Sequence, residues 1–130
     1  MSSKLEDFLG LGNIADIQEE ITVNVGGKNL TLKIRAMTEG EHKDFQKRST
    51  IITKKNVDFD TGKYNSLMVP ACIVEPNFRS ADFLAQAKCQ TAWDFINARF
   101  PAGVIEDIAQ KIQELSGFSS VNEEIDEAKN

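Results

Sequence analysis

Ile21-Thr22-Val23-Asn24-Val25-Gly26-Gly27-Lys28-Asn29-Leu30-Thr31-Leu32-Lys33-Ile34-Arg35 alternates apolar and polar residues on both sides of a glycine-containing break. Alternation with period two places Ile21, Val23, Val25, Leu30, Leu32 and Ile34 on one face. The stretch is therefore predicted to be a β-hairpin with one buried side, turning through Gly26 to Asn29. An isolated hairpin is barely stable in water, so that face needs a cover from the rest of the chain. Residues 101–115 supply a candidate. Val104, Ile105, Ile108, Ile112 and Leu115 form a helical stripe opposed by Glu106, Asp107, Gln110, Lys111 and Glu114, and Ile105, Ile108 and Ile112 are expected to lie on the hairpin.

The remaining elements follow from local signals. Thr38-Glu39-Gly40-Glu41 has the spacing of a capping box and starts a helix expected to run to about Ile52. Residues 53–64 turn polar, with Val57 and Phe59 two apart, and read as an excursion or small hairpin projecting from the body. Residues 66–74 are apolar on all sides, as in a short helix buried on several faces, with Pro70 placed near its first turn. Further helices are expected from Ser80, from Thr91 with Asp94 at the third position, and from Pro101 to Leu115, stopped by Gly117. The sum is an α+β fold, an N-terminal β-hairpin packed against a small bundle of four or five helices. Residues 1–130 make one domain on this reading, with 119–130 a flexible acidic tail.

Composition narrows the function. Of 130 residues, 41% are apolar and 27% charged, which suits one modest core rather than two enzyme domains. The net charge is −5, and seven acids against two bases from Glu106 onward account for all of it. That balance argues against a protein built around a nucleic-acid backbone. No run approaches eighteen apolar residues, so no membrane span is expected. Cys72 and Cys89, with no secretory leader read at Met1-Ser2-Ser3-Lys4, are expected to be reduced thiols in the cytoplasm.

Chemistry-bearing patterns are sparse. His42, the single histidine, has only sequence-local carboxylates and reads as a solvent-facing residue in mid-helix. The cysteines lack metal or redox spacing, and the glycines form no phosphate-binding loop. No catalytic residue, metal or cofactor is expected. Lys43, Lys47, Arg48, Lys54 and Lys55 are the one basic cluster, interspersed with or flanked by acids. They support an alternative reading as a small nucleic-acid-binding regulator using residues 43–55. Two apolar series lack an obvious place in the core. Leu5, Phe8 and Leu9 near the start, with Leu11, either pack on the domain or wait for a partner. Phe118, Val121 and Ile125 punctuate the acidic tail as segments that dock on other proteins do.

The ending Leu115-Ser116-Gly117-Phe118, followed by Glu124-Ile125-Asp126-Glu127-Ala128-Lys129-Asn130, resembles the close of the XkdN-like tail assembly chaperones of contractile-tailed phages and related prophages. Leu5, Phe8-Leu9, Leu32-Lys33-Ile34-Arg35-Ala36-Met37-Thr38 and Cys72-Ile73-Val74-Glu75-Pro76 before Asn77-Phe78-Arg79 extend the likeness over nearly the whole chain. Pro101-Ala102-Gly103-Val104 departs from it, since relatives tend to carry Pro-Gly-Glu there. The resemblance implies a non-enzymatic protein that binds the tape measure protein and keeps it soluble until tube assembly. The tail tube protein is a second implied partner. It also implies a longer form of the same chain made by ribosomal slippage near the end of the reading frame, residence in the cytoplasm of a bacterial host, and absence from the mature virion.

Overall fold

The structure is a computed structural model that describes residues 2–118. Strand β1 (Gln18–Val25) and strand β2 (Lys28–Arg35) pair antiparallel from Gln18 opposite Arg35 to Val25 opposite Lys28. The turn is tighter than the four residues read from the sequence. Gly26 and Gly27 alone make it, at φ 60° and 85°, the left-handed pair that matches the twist of two paired strands. Asn24 and Asn29 clasp the turn from one side chain to the other at 3.1 Å. Ile21, Val23, Leu32 and Ile34 are buried as expected, and Val25 is partly buried against the core. Leu30 departs from the pattern at 40% exposed, because the covering helix does not bury that end of β2.

The cover is helix α6 (Ala102–Leu115), which packs on β1 and β2. Its Ile108 and Ile112 are fully buried, with Val104, Ile105 and Leu115 packed beside them. Despite the departure at residues 101–104, the entry is regular: Pro101 precedes the first turn and its carbonyl accepts from Val104 and Ile105 N–H at 3.0 and 3.1 Å. At the other end Gly117 takes φ 95°. Its N–H donates to Glu114 and that of Phe118 to Gln113, so the left-handed residue closes a Schellman stop.

Four elements differ from expectation. Helix α2 (Glu39–Arg48) begins with the capping box at Thr38 and Glu41 but stops short of Ile52. The buried Ser49 hydroxyl donates to the Phe45 carbonyl at 2.7 Å, and Thr50-Ile51-Ile52, all β-branched, go extended as strand β3 (Thr50–Ile52). β3 pairs antiparallel with strand β4 (Val57–Phe59), the small hairpin anticipated in this region. Helix α3 (Thr61–Cys72) then starts several residues before the expected site. The Asp60 carboxylate accepts from Lys63 N–H at 3.0 Å and caps it. Pro70 therefore lies near the end of α3 rather than in its first turn, and the helix ends two residues later.

Residues 73–75, assigned to the helix or its end on sequence, are instead strand β5 (Ile73–Glu75), antiparallel to β2 with Ile34 opposite Ile73. The main sheet therefore has three strands in the order β1-β2-β5. A cis Glu75–Pro76 bond leads into helix α4 (Ala81–Ala87), capped by Ser80, and then helix α5 (Ala92–Arg99), with its capping box at Thr91 and Asp94. Phe78, Phe83, Phe95 and Phe100 meet in one aromatic cluster with neighbouring centroids 4.8–6.4 Å apart. α3 lies at the centre of the helical side, touching α2, α5, α6 and β5. Its Tyr64, Met68, Val69 and Cys72 enter the same core as the hairpin and α6.

Candidate interaction surface

The first surface feature is helix α1 (Leu5–Leu9), one turn and a half in length and held at its start by a 3.0 Å bond from Lys4 N–H to the Asp7 carboxylate. Leu5, Phe8 and Leu9 recur at helical spacing and share one side. They are 71%, 61% and 74% exposed, and Leu11 beyond them is 73% exposed. Of the two options open on sequence, packing on the domain or remaining uncovered, the structure adopts the second. A helix of five residues without tertiary cover has little stability of its own.

Phe118 is positioned by a different element, the stop of α6. Its ring lies against His42 with centroids 4.8 Å apart, and it remains 43% exposed. His42 is accordingly not the solvent-facing residue expected. It is half-buried, and its Nδ1 lies 2.6 Å from the Tyr64 hydroxyl. Burial pushes the Tyr64 phenol up to about 12, so the hydroxyl keeps its proton and remains a hydrogen-bond donor at ordinary pH. The sequence showed neither contact, because Tyr64 and Phe118 reach His42 only through the packing of α2, α3 and the end of α6. Val121 and Ile125, grouped with Phe118 on sequence, lie outside the described residues, as does the whole 119–130 tail.

The cavity beside His42 is about 70 Å³ and is lined partly by Glu39, already a sequence neighbour, with Ser116 and Phe118 on other sides. It is small beside sites for organic ligands, which run from about 300 Å³ upward. Among the described residues no group of three or more His, Cys, Asp or Glu is placed to hold a metal ion. Cys72 is fully buried, and desolvation pushes its thiol up to about 11, away from the reactive thiolate. Cys89 is partly buried, with its Sγ 3.5 Å from the Ala87 carbonyl. Both are free thiols.

A second apolar surface escaped the sequence reading. The β3–β4 ribbon exposes Ile51, Ile52, Val57 and Phe59 at 51%, 78%, 71% and 50%. Pairing of Ile52 with Val57 and of Thr50 with Phe59 puts Ile52, Val57 and Phe59 on one face. The signal was the run Thr50-Ile51-Ile52 followed by Val57-Asp58-Phe59. It was missed because the first half was absorbed into the preceding helix.

The basic cluster is diluted in space as in sequence. Lys43 pairs with Glu39 at 3.5 Å and Arg48 with Asp44 at 3.5 Å, each one turn along α2. Carboxylates interleaved on the same helix reduce the positive field that a phosphate backbone needs. No helix among the described residues is long and apolar enough to cross a membrane.

A three-stranded sheet backed by helices makes this an α+β protein, with apolar side chains left uncovered on α1 and on the β3–β4 ribbon. The chain belongs to the phage XkdN-like tail assembly chaperone family, whose model matches residues 5–129. The fold is similar to the crystal structure of the protein yqbn, with a TM-score of 0.60 and 16% sequence identity over 92% of this chain and 100% of that one. No curated protein matches the chain significantly.

Proposed function

We propose that this chain binds the tape measure protein of a phage or prophage tail and keeps it soluble until tube subunits assemble around it. The observation that carries this reading is the uncovered apolar side of α1, Leu5, Phe8 and Leu9, in a member of a tail assembly chaperone family. A long helical tape with apolar stripes aggregates before its tube exists. A small acidic protein that covers those stripes removes the apolar surface from water and adds like charge that keeps the complexes apart. Modest affinity per copy, repeated along the tape, gives a stable assembly that tube subunits displace stepwise. The chaperone then acts in the host cytoplasm and is absent from the finished virion. The tail tube protein is the second partner, and a slippage product carrying the same domain adds a longer form. Phe118, with Val121 and Ile125 in the tail, contributes a second set of apolar anchors.

Coexpression with the tape measure protein of the same tail module tests the reading. The soluble fraction of the tape is expected to rise, and the two proteins to copurify. Replacing Leu5 and Leu9 by Asp should reduce copurification while changing stability by no more than about 0.5 kcal/mol, since neither side chain enters the core. Val121→Asp with Ile125→Asp examines the tail in the same way. Unchanged tape solubility and no copurification, with either the short or the slipped product, would exclude direct chaperoning.

A further inference from the structure

A groove between α3 and α5 matches the side of α1 that the chain leaves uncovered. It is a shallow, open depression of about 410 Å³, with Leu67, Pro70, Ala71 and Trp93 as its apolar lining and the exposed cations Lys63 and Arg79 also along it. Sites that take apolar ligands with a few polar contacts fall in the range of about 300–1,000 Å³. The occupant that fits is an apolar helical segment bearing negative charge. α1 has that chemistry: Leu5, Phe8 and Leu9 provide the apolar side and Glu6 borders it, whereas Asp7 lies on the opposite side with its carboxylate taken up by Lys4 N–H. Since those apolar side chains are 61–74% exposed, α1 does not occupy the groove of its own chain.

We propose that α1 of one copy docks into the α3–α5 groove of a second copy, its leucines and Phe8 against Leu67 and Trp93, and Glu6, at the edge of that apolar side, toward the cations Lys63 and Arg79. The two halves of this contact are different surfaces, so the association is heterologous and extends from copy to copy unless two chains reciprocate. The element is short and the contact small, which makes the association weak and reversible. In the free protein it would shelter α1 from unspecific apolar contacts and line up several copies before any partner is present. This self-association engages the same side of α1 that the tape-binding reading uses, so tape and second copy compete for it, but it is measured without the tape and its failure leaves that reading standing.

Sedimentation velocity and fluorescence of the full chain over a wide concentration range test it. Trp93 is the only tryptophan, so its emission reports the groove directly. The sedimentation coefficient is expected to rise with concentration, accompanied by a blue shift of Trp93 emission, and added salt should weaken both. Leu5→Asp with Leu9→Asp disables the helix, and Lys63→Glu with Arg79→Glu disables the groove. All four positions are exposed, and each pair of changes should weaken association by about tenfold or more. Mixing the two variants should restore a one-to-one complex, because one retains the groove and the other the helix. That recovery also shows that both variants fold. Several results would overturn the proposal: a sedimentation coefficient independent of concentration, loss of association in only one of the variants, or a mixture that does not associate. A Trp93 shift that is independent of concentration yet abolished by the α1 changes would assign the groove to α1 of the same chain.

Discussion

Truncating Ile108 to alanine is expected to lower the unfolding free energy by about 2–5 kcal/mol. Ile108 is fully buried on α6, where the helix crosses the hairpin, among Ile21, Val23, Leu32, Ile34 and Ile112 in one continuous core. Removing its outer carbons forfeits their transfer free energy. It also leaves a cavity that the sheet on one side and α3 on the other are too constrained to fill. A domain of this size has a stability on the order of 5–15 kcal/mol, so the change removes a large share of the total. Urea denaturation of the two chains measures it. An unchanged m-value with a shifted midpoint would identify the effect as lost packing in the native state. A loss below about 0.5 kcal/mol, the size expected for a surface position, would mean that the stripe on α6 does not hold the sheet.

The second large effect centres on Arg35 and Glu41. Arg35, the last residue of β2, donates from its two Nη atoms to the two Glu41 oxygens on α2 at 2.9 and 2.8 Å. The same guanidinium donates to the carbonyls of Ala36 and Ala71, each at 3.0 Å. Ala71 lies in the last turn of α3, where helix carbonyls lack partners along the chain. One side chain therefore ties together the end of the sheet, α2 and the C-terminus of α3. Glu41 is also the acid of the capping box and accepts from Thr38 N–H at 3.0 Å. With side-chain exposures of only 17% and 29%, the pair is sheltered from water. Glu41→Ala should cost about 2–3 kcal/mol, since it removes charge-assisted bonds and leaves a half-buried guanidinium short of an acceptor. Glu41→Gln should cost less, because an amide at that position still serves the cap.

The Arg35 guanidinium beside it, with help from Thr38, holds the Glu41 carboxyl at about 2, against an ordinary value of 4.5. In the folded chain Glu41 stays ionised where the unfolded chain has already taken up a proton. The stabilisation is therefore fully present above pH 4.5 and is lost as the pH falls toward 2. Between those limits the wild-type stability should decline more steeply with acid than that of Glu41→Gln. Parallel pH profiles for the two chains would show that the ion pair contributes no more than an exposed one does.

The glycine turn, the alternating strands, the capping boxes at Thr38 and Thr91, the stripe of α6 and its stop at Gly117 were all legible along the chain. Each is a local matter: a backbone conformation open to glycine, a hydroxyl and a carboxylate three residues apart, or a periodicity of two or 3.6. The likeness to the tail assembly chaperones was legible as well, because it rests on the order of short motifs rather than on contacts. The uncovered state of Leu5, Phe8 and Leu9 was not, since the same amphipathic turn suits packing and waiting equally. Tertiary structure decided the rest. Ile73–Glu75 is a strand because β2 offers it an open edge for pairing. His42 is drawn inward by Tyr64 and Phe118. Arg35 meets Glu41 and the end of α3 only once the sheet lies on the helices. Local propensity and periodicity determine which residues begin, end and face inward on an element. Which neighbour meets them depends on contacts between residues far apart in sequence, and those exist only after the chain has folded.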